Sequence, residues 1–186
     1  MNPLFITAHY DDLEVCAGGT AKRYGGSSVV LTPKPSHGTE KQATAAAAIL
    51  GIDPYAPPHW PLTLDEIEAL ALGCDTIISV SPHDSHPEHQ EAATFARQVA
   101  RKNGIALWFM DHAIPGGYGQ GPRPNHFVNI SNYAGYKYRA IKVYKHALEQ
   151  YGTNWLTTIE SRDKYYGGIH GVRRAEGFIT QNSIQQ

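Results

Sequence analysis

Ala8-His9-Tyr10-Asp11-Asp12-Leu13-Glu14 is the stretch that decides how this chain is read. It follows Pro3-Leu4-Phe5-Ile6-Thr7, an apolar run short enough to be a buried strand. Gly18, Gly19 and Thr20 come soon after and suit a tight turn into a helix. A histidine and three acids therefore sit where a first strand ends. In open α/β sheets that edge is where ligands bind. Buried carboxylates are costly unless paired or metal-bound, so the cluster calls for water or a cation.

A second cluster answers the first. Ile77-Ile78-Ser79-Val80 reads as another short strand, and it leads into Ser81-Pro82-His83-Asp84-Ser85-His86-Pro87-Glu88-His89. A helical pattern follows, with Ala92, Phe95, Ala96 and Val99 on one face. Two such segments, each after a parallel strand, can face each other across one sheet edge.

The remaining pattern supports that geometry. Strands are expected over 3–8, 28–32, 76–80, 105–110 and 127–130. Helices are expected from the first cluster to Tyr24, over 39–50, from 63 or 65 to 72, over 87–102 and over 132–151, the last with Lys137, Lys142 and Lys145 on polar faces. Gly51 and Gly104 stand where helices stop. Alternating strands and helices imply right-handed crossovers and an α/β fold with a mostly parallel sheet. The Gly-Pro-rich loop 115–124 reads as a border of the site.

Length and composition bound the function. A chain of 186 residues predicts one domain, residues 1–186. The net charge of −1 gives no support for a nucleic-acid groove or an anionic membrane surface. Cys16 and Cys74 form no CxxC pair, which predicts a reducing, cytoplasmic setting without a disulfide framework. No signal peptide and no membrane span are visible.

His9 and Asp12 are separated by two residues in a loop entering a helix, so both can reach one point. Imidazole and carboxylate suit zinc, and a catalytic zinc site needs only three protein ligands. His89, early in its helix, supplies the third. Asp11 is placed to act as general base toward a metal-activated water. His86, three residues before His89, can face the same side and steady an oxyanion. Asp84 can orient a histidine from behind. Glu14 either supports the helix N-terminus or joins the site. Iron(II) could take the place of zinc in the same ligand set. The competing reading is a sugar-binding module whose structural metal is closed by a fourth ligand, His86. His37, His59, His83, His112 and His126 carry no motif and read as structural or exposed.

These motifs resemble the PIG-L/LmbE-like zinc-dependent N-deacetylases. The family's AHPDDxE appears as Ala8-His9-Tyr10-Asp11-Asp12-Leu13-Glu14, followed by Gly18-Gly19-Thr20. Its HPDH appears as His86-Pro87-Glu88-His89. Lys142, Lys145 and His146 resemble its late lysine-histidine helix. Tyr166-Gly167-Gly168, Gly171 and Ala175-Glu176-Gly177-Phe178, with His170 among them, resemble its closing segment. The resemblance implies a Rossmann-like three-layer fold, with the metal site at the C-terminal edge of the strands. It implies hydrolysis of an N-acetyl group from a small N-acetylglucosamine-type sugar or sugar conjugate. It assigns His9, Asp12 and His89 to zinc, Asp11 to the base and His86 to the tetrahedral intermediate; Glu14, Asp84, His146 and His170 are further candidates for supporting or substrate contacts. A homo-oligomer is compatible with it. Thr39 and Gln42 stand where many members carry arginine and glutamate, and Asp84 stands where some carry tyrosine.

Overall fold

Strand β1 (Pro3–Thr7) is buried along its whole length, and alternate residues feed opposite sides. Phe5 packs into one apolar cluster, while Leu4 and Ile6 pack into another. Strand β4 (Thr76–Ser79) repeats this with Ile78 and Ile77. A strand apolar on both faces must be covered by helices on both, and this sets a three-layer α/β arrangement. The computed structural model describes residues 1–57, 59–111 and 122–181.

The remaining strands are β2 (Ser27–Val30), β3 (Asp53–Tyr55), β5 (Ala106–Met110), β6 (His126–Asn129) and β7 (Ala175–Gln181). They form one sheet in the order β3-β2-β1-β4-β5-β7-β6. The first five in that order pair in parallel. β7 runs antiparallel to both β5 and β6. The chain leaves β1 toward β2 and β3, then returns to β1's other side as β4. The gap between the ends of β1 and β4 is thus the topological switch point, where α/β sheets bind ligands.

Helix α1 (Asp12–Tyr24) grows out of the first acidic cluster and α4 (Pro87–Asn103) out of the second. Pro87 opens α4, at a position where its missing N–H costs nothing. Helices α2 (Glu40–Leu50) and α3 (Leu64–Leu70) each begin with a capping box, Thr39 with Gln42 and Thr63 with Glu66. The segment expected as one helix over 132–151 is two, α5 (Ala134–Ile141) and α6 (Lys145–Tyr151), and α7 (Thr153–Ile169) follows.

Helix α1 is kinked at Ala17, which has φ −136° and ψ 16°. The kink frees the N–H groups of the next turn, and a distant carboxylate takes them. Glu176 on β7 accepts from Gly19 N at 2.9 Å, from Thr20 N at 2.7 Å and from Thr20 Oγ1 at 2.6 Å. It caps the second half of α1 from across the sheet, as a carboxylate does at a helix N-terminus. Its charge is met by Lys137, 2.7 Å away, which also lies 2.9 Å from Asp163 Oδ2. Lys137 and Asp163 are 0% exposed, so Lys137 does not lie on a polar face as expected. Arg162 completes the group by donating to Val15 O at 2.7 Å and to Asp111 O at 3.1 Å. Close approach explains the two glycines: a Cβ on Gly19 would meet the Ile130 side chain at 2.7 Å, and one on Gly18 would meet Lys137 Cγ at 3.0 Å. This buried network ties α1, α5, α7 and β7 into one frame beneath the first cluster.

Candidate metal centre

The end of β1 and the start of α4 bring three donor atoms together. His89 Nε2 lies 3.2 Å from His9 Nδ1 and 3.3 Å from Asp12 Oδ1. His9 Nδ1 and Asp12 Oδ1 are 3.8 Å apart. All three residues are buried, at 1%, 4% and 1% exposure for His9, Asp12 and His89. Ligand atoms around a tetrahedral zinc with bonds of about 2.0–2.1 Å lie about 3.3 Å from one another. The triangle fits a single small cation, and these residues form the one such group among those described.

Local chemistry fixes each donor. Asp12 Oδ2 accepts backbone hydrogen bonds from Ala8 N at 3.1 Å and His9 N at 2.8 Å, which leaves Oδ1 turned toward the imidazoles. Burial alone would raise the Asp12 carboxyl, but the facing His89 and His9 outweigh it and hold Asp12 well below the usual carboxylate range. It is therefore ready to ligate as an anion. Asp84 Oδ2 lies 3.0 Å from His89 Nδ1, so that face of the ring meets a carboxylate and Nε2 is left for the triangle.

The other predicted residues are placed as follows. Asp11 is 5% exposed and its Oδ1 has no hydrogen-bond partner. The His86 ring stands 5.2 Å from that of His89 and 5.7 Å from that of His9, and its side chain is half exposed. His86 Nδ1 is 3.5 Å from Glu88 Oε2, and Glu88 is also held by Lys34 from the loop after β2. That hydrogen bond from Lys34 is the main reason Glu88 is brought down to about 2.

Glu14 is 3% exposed and does not serve as a solvated helix-end charge. Burial, opposed by a backbone hydrogen bond and reinforced by the charges of Asp11 and Asp12, pushes it up to about 8. His170 is away from the triangle: it stacks on Phe127 of edge strand β6, with ring centroids 4.0 Å apart. The side chain of His146 and the expectation on His112 lie outside the described residues, as does the Gly-Pro loop except for residues 122–124.

One residue that sequence reading set aside belongs here. The His37 ring stacks on His9 with centroids 4.0 Å apart and planes 12° apart, and its Nδ1 is 3.7 Å from Asp11 Oδ1. It arrives on a single 3-10 turn, Pro35–His37. Gly38 lets this turn settle: its φ is +120°, and a Cβ there would meet the Tyr144 ring at 2.8 Å. Tyr144 is fully buried and donates through its hydroxyl to Tyr10 O at 2.6 Å, so it supports both loops from below. The facing Asp11 carboxylate holds His37 above its ordinary pKa, against the opposing effect of burial. Thr39 and Gln42, at the positions that depart from the family, are committed to capping α2, and Gln42 Nε2 also donates to Val143 O at 3.1 Å.

Comparison with known proteins places this geometry in context. No family model matches the chain. A conserved protein of Thermus thermophilus superposes with a TM-score of 0.80 at 23% identity, over 100% of this chain and 97% of the other. N,N'-diacetylchitobiose deacetylase from Pyrococcus horikoshii superposes with a TM-score of 0.70 at 20% identity, over 97% of this chain and 83% of the other. The A40926 pseudoaglycone deacetylase gives 0.72 at 14% identity, over 98% of both chains. The chain has the fold of these three proteins, two of them deacetylases, the Rossmann-like α/β fold that the motif resemblance implied.

Proposed function

We propose that the chain is a metal-dependent N-deacetylase of the PIG-L/LmbE-like kind, acting on a small N-acetylated sugar or sugar conjugate. The observation that carries this reading is the His9–Asp12–His89 triangle at the switch point of the sheet; the Asp11 carboxylate, next to Asp12 in the chain, faces His37, whose ring stacks on His9. Structures of the same fold whose names record deacetylation of chitobiose and of an antibiotic pseudoaglycone support the substrate class.

His9, Asp12 and His89 would hold the cation, zinc or else iron(II). When bound, it supplies Lewis-acid polarisation of the amide and a water that is nucleophilic near neutral pH. Asp11 accepts the proton of the attacking water as the oxygen adds to the acyl carbon. His86 hydrogen-bonds the oxyanion that develops and is within reach to protonate the departing nitrogen. The C–N bond breaks, and acetate and the free amine leave. Asp84 keeps His89 oriented, while the buried frame under α1 fixes the loop that carries His9, Asp11 and Asp12.

The sugar-binding alternative needs a closed site with four protein ligands. Among the described residues only three form the group, and His86 faces Glu88 and solvent. Acetate release from a panel of N-acetylated sugars tests the reading. The wild type should turn over at least one of them with zinc present, and Asp11→Ala should bind zinc and release no acetate. Full activity in Asp11→Ala would remove the base from the account.

A further inference from the structure

The His86 ring projects from the N-cap of α4. Its backbone is fixed, because His86 N donates to Asp84 Oδ1 at 2.9 Å, but its side chain is 52% exposed. Among the described residues the polar partner of the ring is Glu88, whose Oε2 lies 3.5 Å from Nδ1. That is the long limit of a hydrogen bond, as catalytic contacts often are before substrate binds. A glutamate side chain is rich in rotamers and does not stay in one of them unaided. Its other oxygen, Oε1, is taken by Lys34. Lys34 is itself preset. It stands between Pro33 and Pro35, and the proline after it keeps its backbone extended, at φ −122° and ψ 133°. Just before it, Leu31 N and Thr32 N donate to Thr7 O and Ala8 O, both at 2.9 Å. These bonds hold the Lys34 segment against the end of β1, next to His9. The Glu88 carboxylate thus spans two elements, the loop after β2 and the start of α4.

We propose that Lys34 is a positioning residue: by holding Glu88 it sets the His86 ring with Nδ1 on the carboxylate and leaves Nε2 for the substrate. A lysine–glutamate pair this exposed, at 43% and 21%, adds little to stability, so its use lies in orientation. Without the lysine the carboxylate is free to turn to solvent, and the half-exposed ring loses its polar partner. His86 acts on charge that develops only as the tetrahedral intermediate forms. A loosened ring therefore lowers kcat and leaves KM in place. The orientation half of the proposal needs only these three side chains, while the kinetic half rests on the proposed deacetylation.

The test compares full-length, zinc-loaded wild type with Lys34→Met and Lys34→Gln, which remove the charge, and Lys34→Arg, which keeps it. The ring tautomer of His86 is read without substrate from long-range proton–nitrogen NMR correlations, with His86→Gln assigning the signal. Spectra are taken at about pH 9, above the ordinary histidine range. Wild type and Lys34→Arg should show the Nδ1–H form, and the two uncharged variants a mixture with Nε2–H. In acetate release the uncharged variants should lose about tenfold in kcat with KM unchanged within about twofold, and Lys34→Arg should recover most of the rate. The Tm of all three should stay within about 4 °C of wild type. An Nδ1–H form retained in Lys34→Met and Lys34→Gln would overturn the positioning, as would a rate that falls only in step with a larger loss of Tm. A tautomer shift with unchanged kcat would overturn its use in the reaction. A tautomer shift with no acetate released by any form, wild type included, would sustain the positioning while the proposed deacetylation fails.

Discussion

Replacing Lys137 with methionine keeps the bulk of the side chain and removes its charge. In the native protein Lys137 Nζ lies 2.7 Å from Glu176 Oε1 and 3.0 Å and 2.9 Å from the two oxygens of Asp163. Lys137 and Asp163 are 0% exposed and Glu176 1%, so no water can take the ammonium's place. Methionine leaves two buried carboxylates facing one another. Removing one partner of a buried ion pair costs about 3–5 kcal/mol. Some compensation remains. Arg162 Nη2 is 3.5 Å from Asp163 Oδ1, and Glu176 keeps its hydrogen bonds from Gly19 and Thr20. The expected loss is therefore at the lower end, about 3 kcal/mol. For a chain of this size each kcal/mol moves the melting temperature by about 2–4 °C, so the Tm should fall by about 6–12 °C. Urea denaturation should show the midpoint move with the slope unchanged. Adding Glu176→Gln to Lys137→Met should recover part of the loss, because one uncompensated charge is gone. A shift of less than about 0.5 kcal/mol in the single variant would refute the view that these residues form a closed charged frame.

Two further outcomes are expected. Glu14 is raised by burial to about 8 from its ordinary 4.5. Between those values the folded protein keeps a proton that the unfolded chain has released, so stability falls as pH rises through that window. Metal-free wild type should lose about 1.4 kcal/mol per pH unit from this group, and Glu14→Gln should lack that component; parallel pH profiles of the two proteins would contradict the assignment. Asp84→Asn removes the carboxylate 3.0 Å from His89 Nδ1 and should weaken zinc binding by about 10–100-fold, read by competition with a chromophoric chelator. Unchanged affinity would mean that Asp84 does not orient His89.

Much of this was legible in the sequence because the signals are local. An apolar pentad followed by His9 and its acids marks a strand end, and the second cluster at His86–His89 repeats the arrangement. Parallel pairing of β1 with β4 then brings the two together, since neighbouring parallel strands end at the same edge. What stayed hidden depends on long-range contact. Strand β7 pairs antiparallel with β5 across more than sixty residues of sequence, and no periodicity announces a partner so distant. Lys137 looks like a polar-face lysine until Asp163 and Glu176 arrive from α7 and β7. His37 carries no motif, and only the packing of Gly38 on Tyr144 places its ring on His9. Glu14 reads as a helix-end acid because its buried partner, Tyr144, lies far along the chain. The Gly-Gly-Thr and Ala-Glu-Gly-Phe segments become one signal only in three dimensions, where Glu176 caps the turn at Gly19 and Thr20.

Zinc content of metal-stripped protein reloaded with one equivalent of zinc, wild type beside His89→Ala, tests the central claim most directly. The account predicts one bound zinc per chain in the wild type and none retained through dialysis in His89→Ala, with both proteins folded by circular dichroism. Equal zinc retention in the two would show that the first and second clusters do not share a cation.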